Sequence, residues 1–209
     1  MLAASERATP NGLDRLAREY ELAEYLDRSW ALRPLKLARE NGQTTLIFED
    51  PGGELLSQLL GSPMVIERFL HLAIGITAAI GKMHQRGLVH KDIKPANVLV
   101  TSRDREIRLT GFGIASRVPR ERQPPGPPPF IAGTLAYMAP EQTGRMNRSI
   151  DSRSDLYALG VTFYQMLTGS LPFDAVDAME WIHCHIARQP ALPTSRAPDV
   201  PPTISAASS

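Results

Sequence analysis

The chain has a single cysteine, Cys184, which excludes an internal disulfide and fits a reducing compartment. Net charge is almost absent, a formal +1, so there is no electrostatic case for nucleic acid or a membrane surface as a partner. Long apolar runs are missing too. The most apolar stretch, residues 69–81, falls well short of the roughly 20 residues a bilayer span needs, and it carries His71. The first seven residues are too few and too polar for a secretion signal. There are no internal repeats. What remains is 43% hydrophobic residues, enough for a sizeable core, in a length of 209 that suits one domain or most of one. These absences predict a soluble, cytoplasmic protein with no membrane insertion and no nucleic-acid partner.

Along the chain, residues 1–12 contain the turn signal Pro10-Asn11-Gly12 and no periodicity, which predicts a loose, disordered N-terminus. Leu13, Leu16, Tyr20 and Ala23 recur at helical spacing with charges between, so residues 13–30 are an expected amphipathic helix. Residues 31–50 read as two strands around an Asn41-Gly42 turn, and Glu49-Asp50-Pro51-Gly52-Gly53 breaks the pattern. Ile66, Phe69, Ala73, Ile76, Ile80 and Met83 then mark a second helix, closed by Gly87. His71 and His84 on it have no partner at metal-ligand spacing and read as surface or packing residues.

The most informative stretch is Leu88-Val89-His90-Lys91-Asp92-Ile93-Lys94-Pro95-Ala96-Asn97-Val98-Leu99-Val100. A carboxylate, an ammonium two residues on, a rigidifying proline and an amide are set between apolar flanks. Such a loop can project all three polar groups from one place, with residues 98–100 as the buried strand that anchors it. A hairpin follows, its second strand around Ile107-Arg108-Leu109-Thr110, with a turn at residues 102–105.

This stretch resembles the catalytic loop H-R-D-x-K-P-x-N of eukaryotic-type Ser/Thr protein kinases. A second segment, Gly133-Thr134-Leu135-Ala136-Tyr137-Met138-Ala139-Pro140-Glu141, resembles that family's G-T-x-x-Y-x-A-P-E. A third, Ser154-Asp155-Leu156-Tyr157-Ala158-Leu159-Gly160, resembles the start of its buried helix F. The resemblance covers residues 13–189, from helix C to helix G. It implies an α+β, two-lobed protein-kinase fold with an incomplete small lobe, about residues 13–50, and a mainly helical large lobe that lacks its last helices.

By resemblance Asp92 accepts the proton of the attacking hydroxyl, Lys94 faces the transferring phosphoryl, and Thr134 bridges the two; Asn97 is a magnesium ligand. Phe48, Glu49, Asp50 and Leu99 line the adenine site. Glu19, with Glu21 as a second register, is the glutamate of helix C. His90, Phe112, Glu141 and Asp155 are structural, Asp155 accepting hydrogen bonds from the loop backbone. The implied cofactors are ATP and Mg2+, and the implied partner is a protein substrate or partner domain of unknown identity. Phrases such as Gly144-Arg145-Met146-Asn147-Arg148-Ser149-Ile150 are similar to the kinase module at the front of large bacterial sensor proteins that also carry a histidine kinase.

Several departures stand beside the resemblance. Where the family has D-F-G this chain has Gly111-Phe112-Gly113, and glycine offers magnesium no ligand atom. Metal charge stabilisation is worth several kcal/mol, so its loss costs roughly three orders of magnitude in rate. Pro51 stands where a backbone N–H would bond adenine. Lys91 replaces an arginine that reads phosphate, and residues 118–132, with the run Pro124-Pro125-Gly126-Pro127-Pro128-Pro129, contain no Ser, Thr or Tyr to phosphorylate. No G-x-G-x-x-G segment and no V-A-I-K lysine is present. Three functions follow as expectations: a Ser/Thr kinase, a pseudokinase acting as a docking module, or a truncated product with no independent role; association through an exposed large-lobe surface is expected separately. His183, Cys184 and His185 point in diverging directions on a helix and are not read as a metal site, and residues 190–209 are expected to be disordered.

Overall fold

A computed structural model describes residues 2–6, 10–40, 43–101, 106–117, 133–146 and 148–207. The expected turns at Asn41-Gly42 and at residues 102–105, the proline run and Asn147 lie outside the described residues. Strand β3 (Gln43–Phe48) is the centre of a small antiparallel sheet, flanked by β1 (Leu2–Glu6) and β2 (Pro34–Glu40) in the order β1-β3-β2. Its alternation is the period-two signal of the sequence: Thr44, Leu46 and Phe48 face inward and are buried. Register runs Leu2↔Phe48 to Glu6↔Thr44 on one side and Leu37↔Leu46 on the other. The register shift between Pro34 and Lys36 falls where proline has no N–H for the ladder.

Helix α1 (Pro10–Glu21) packs over this sheet, Leu16 joining Leu32, Leu46, Phe48 and Leu99 in one apolar cluster. Three features differ from the sequence reading. Residues 2–6 form a strand rather than a loose terminus, because the edge of β3 offers their backbone groups partners that no side-chain pattern announces. The helix starts at Pro10, since the first helical turn needs no N–H from its opening residue and proline's φ is already helical. It ends at Glu21 in a short 3-10 turn (Leu22–Glu24), and Leu22, Leu26 and Trp30 then enter the main core.

The second half is mainly helical. Helix α2 (Ile66–Gln85) buries Phe69, Leu72, Ala73, Ile76, Ile80 and Met83 along one stripe, and its chain reverses at Gly87, φ 70°. A second sheet, β4 (Glu54–Leu55), β5 (Val98–Val100) and β6 (Ile107–Leu109), lies beside it in the order β4-β5-β6. Gly53 makes this sheet possible: at φ 111° a Cβ would sit 2.2 Å from the Val100 carbonyl oxygen. Helix α3 (Ser152–Thr168), capped by Asp151 and closed by Gly169, runs through the core with Ala158, Leu159, Met166 and Leu167 buried. Helix α4 (Ala178–Ala187) follows, capped by Asp177.

The C-terminal stretch is another correction. Short helices α5 (Pro193–Arg196) and α6 (Pro202–Ala207) occupy what the sequence reads as a disordered tail. Pro193, Ala197 and Val200 are buried, and Arg196 donates to the Leu171 carbonyl at 2.7 Å with its guanidinium 5.5 Å from the Tyr164 ring. Isolated small apolar residues and one arginine make this contact, so no periodicity shows it. Val200→Asp buries an unpaired charge and should release the segment. Trypsin cleavage after Arg196 is expected to rise at least on the order of tenfold in that variant, with helix α2 uncut. Equal cleavage rates would show that the segment is not docked.

Candidate active site

The loop of residues 90–97 is held from below by one carboxylate. Asp155, fully buried in the first turn of α3, accepts from the backbone N–H of His90 at 2.9 Å and of Lys91 at 2.8 Å. His84 Nε2 lies 2.8 Å from the same carboxylate, so the histidine read as a packing residue is its third partner. Lys91 sits at φ 69°, a left-handed conformation that costs a side-chain-bearing residue roughly 1–2 kcal/mol. Hydrogen bonds to a charged acceptor, about 1.5–3 kcal/mol each, offset that strain.

His90 is fully buried against Phe112, ring centroids 4.7 Å apart, and Phe112 meets the edge of Trp30 at 6.2 Å. Its Nε2 faces the Thr110 carbonyl at 3.0 Å and its Nδ1 accepts the Asp92 N–H at 3.3 Å, which fixes the neutral Nε2–H tautomer. Burial pushes its pKa below the usual value, overcoming the pull of Asp155 and Asp92.

On the open side, the expected residues converge. Asp92 Oδ2 takes a 2.7 Å bond from Lys94 Nζ, and Asp92 Oδ1 accepts the Thr134 N–H at 3.0 Å. Lys94 Nζ also donates to Thr134 Oγ1 at 2.6 Å. Thr134 thus contacts Asp92 through its backbone and Lys94 through its hydroxyl. Asn97 Nδ2 donates to the Asp92 carbonyl at 2.8 Å and to Oδ2 at 3.2 Å. Its oxygen faces Gly111, where a Cβ would lie 2.6 Å from it.

Of the two helix-C registers, Glu19 is buried and Glu21 exposed; Glu19 accepts the Gly111 N–H at 3.0 Å, so α1 reaches the site through that backbone group. Phe48 and Leu99 meet in the apolar cluster under the first sheet, whereas the side chains of Glu49 and Asp50 turn away, to Arg28 at 3.0 Å and to the Gly52 N–H. Glu141 takes a hydrogen bond from Ser154 at the start of α3. Sequence reasoning missed Gln142, buried between this segment and the loop: its Nε2 donates to the Lys91 carbonyl at 2.8 Å and its Oε1 accepts the Ala139 N–H at 3.1 Å. Only its place directly after Ala-Pro-Glu could have drawn attention to it. His185 also escaped notice as a structural residue: Nε2 donates to the Leu135 carbonyl at 2.8 Å, Nδ1 accepts from Tyr157, and Trp181 stacks on the ring.

A magnesium ion does not fit this donor set. Both Asp92 oxygens are already hydrogen-bonded, Gly111 has no ligand atom, and Asn97 offers one amide oxygen. Among the described residues no three His, Cys, Asp or Glu side chains cluster in a way that could hold a metal. A nucleophilic hydroxyl, by contrast, finds a carboxylate and a cation already in register.

The two buried histidines set an acid limit. Burial lowers the pKa of both His90 and His185, so the native state resists protons that the unfolded chain takes up below about pH 6.5. Their contribution is complete above that pH and is lost as pH falls toward the lowered native values. Urea midpoints should therefore drop between pH 7 and pH 5, and His90→Gln should drop less steeply. A flat profile would contradict the neutral, buried assignment.

Comparison with known proteins agrees with the geometry. The protein kinase domain model matches residues 2–207. The chain is 33% identical over 193 residues to the serine/threonine-protein kinase Pkn3 of Myxococcus xanthus, covering 88% of this chain and 35% of that protein. It is 37% identical over 158 residues to Pkn1 of the same organism, covering 74% and 22%. Against PknB of Mycolicibacterium smegmatis it is 31% identical over 144 residues, covering 69% and 23%. The chain thus spans about a third or less of the length of these curated relatives. No helix among the described residues is long and apolar enough to cross a membrane. With the loop, its buried aspartate and the matched segment all in place, the chain belongs to the protein kinase domain family and is of the Ser/Thr kinase type.

Proposed function

We propose that this chain forms the hydroxyl-accepting side of a Ser/Thr protein kinase site and transfers phosphoryl from ATP slowly. The observation that carries the reading is the closed triangle of Asp92, Lys94 and Thr134. A substrate serine or threonine hydroxyl placed at Asp92 gives its proton to the carboxylate as its oxygen bonds to the γ-phosphorus; ADP leaves with the electron pair. Lys94 moves its hydrogen bonds from Asp92 and Thr134 to the phosphoryl oxygens. Thr134 keeps the carboxylate aimed through its backbone N–H. By the family resemblance Phe48 and Leu99 lie behind the adenine, and both are buried in the apolar cluster under the first sheet. Magnesium, in this family, neutralises charge on the phosphates; among the described residues the donor set around Asn97 and Gly111 does not fit it. The protein substrate is met in the cytoplasm.

Gly111 supports a second reading, a docking module that binds without transfer, because the carboxylate that normally holds the metal is missing. Calorimetry separates the readings when joined to a radiolabel assay. Nucleotide binding is expected to be weak and nearly indifferent to magnesium, and Asp92→Asn should abolish whatever transfer to a serine-containing protein is seen. Low-micromolar, magnesium-dependent affinity would mean that another ligand serves the metal. Transfer undiminished in Asp92→Asn would remove Asp92 from the reaction, and no transfer at all would leave the docking reading.

A further inference from the structure

Lys91 is the one non-glycine residue with a positive φ among the described residues, and its two flanking peptides are held by different parts of the fold. The peptide before it is fixed through the Lys91 N–H by Asp155 on α3. The peptide after it joins Lys91 to Asp92, and both of its polar ends are bonded: the Lys91 carbonyl accepts from Gln142 Nε2 at 2.8 Å, and the Asp92 N–H is held by His90 Nδ1 at 3.3 Å. Rotation of this peptide would change the Asp92 backbone and turn its carboxylate away from the Thr134 N–H and from Lys94. His90 belongs to the loop itself. Gln142 does not: it comes from the segment after Ala139-Pro140-Glu141, 51 residues away in sequence, and it is only 5% exposed.

We propose that Gln142 is a positioning residue for Asp92, fixing the carbonyl end of the Lys91–Asp92 peptide and so tying the carboxylate's direction to the segment that carries Thr134. The proposal rests on the reading of Asp92 as the proton acceptor. Capping alone would not require the arrangement. The Ala139 N–H uses only Gln142 Oε1, whereas Nε2 makes the separate bond to the loop. A buried amide with both ends bonded to different backbone segments couples those segments, because moving either one leaves a polar group unsatisfied. Displacement of residues 133–143 by a docked substrate would therefore be felt at Asp92 through two routes, Thr134 and Gln142.

The test uses amide hydrogen exchange by NMR on the whole chain at neutral pH. Gln142→Glu keeps an acceptor for the Ala139 N–H but removes the donor to Lys91; Gln142→Met removes both. The Asp92 amide should exchange faster by at least about tenfold in both variants, while amides of Val161 and Leu167 in α3 keep their rates. An effect seen in Gln142→Met but not in Gln142→Glu would reduce the residue to a cap and overturn the proposal. A uniform rise across α3 would show a purely structural role and overturn it as well. In the unmodified chain, a through-hydrogen-bond coupling between Gln142 Nε2 and the Lys91 carbonyl carbon is expected, and its absence would overturn the proposal even if neither variant folds. Failure of the kinase reading shows in the transfer assay and leaves these exchange rates as they are.

Discussion

Asp155 is a carboxylate placed where water does not reach it, and the rest of the site follows from satisfying it. A buried charge is stable only when its lone pairs are bonded, and here the partners are two successive backbone N–H groups and one histidine. Those bonds set Lys91 in a left-handed turn, which in turn presents Asp92 to the open side. Helix α3 is anchored deep in the core, so the loop inherits the rigidity of the most buried helix. The His90–Phe112–Trp30 contacts carry the same anchoring toward the small sheet.

The site is uneven as a result. On one side Asp92, Lys94 and Thr134 are in mutual contact. Beside it no side chain comes from position 111: the Gly111 N–H engages Glu19, and the Asn97 oxygen faces the space where a side chain at 111 would begin. Phosphoryl transfer depends mostly on positioning and charge stabilisation, so a chain with the first and little of the second is expected to be slow rather than unable to recognise a hydroxyl.

Much of this was legible because the loop chemistry is written in consecutive residues. Asp92, Lys94 and Asn97 come from one short stretch, and Thr134 and Asp155 sit in equally distinctive surroundings. Helices α2 and α3 and strand β3 announced themselves through periodicity. What stayed hidden was long-range and carried by unremarkable residues. Gln142 and His84 each make a hydrogen bond to a distant partner, 51 and 71 positions away, which no local pattern encodes. Strand β1 exists because β3 had an edge to pair, and α5 docks through Pro193, Ala197 and Arg196, in a composition that reads as disorder. The choice between Glu19 and Glu21 likewise needed the Gly111 N–H in space.

The central claim is that Asp155 builds the loop of residues 90–97, and the most direct measurement is urea unfolding of Asp155→Ala at neutral pH. Removing the carboxylate leaves the His90 and Lys91 N–H groups without an acceptor while Lys91 keeps its left-handed strain. The account predicts a loss of about 3 kcal/mol or more, since two hydrogen bonds to a charged group disappear together. A variant within about 1 kcal/mol of the parent would be an ordinary surface-like substitution, and it would contradict the claim that this buried carboxylate holds the site together.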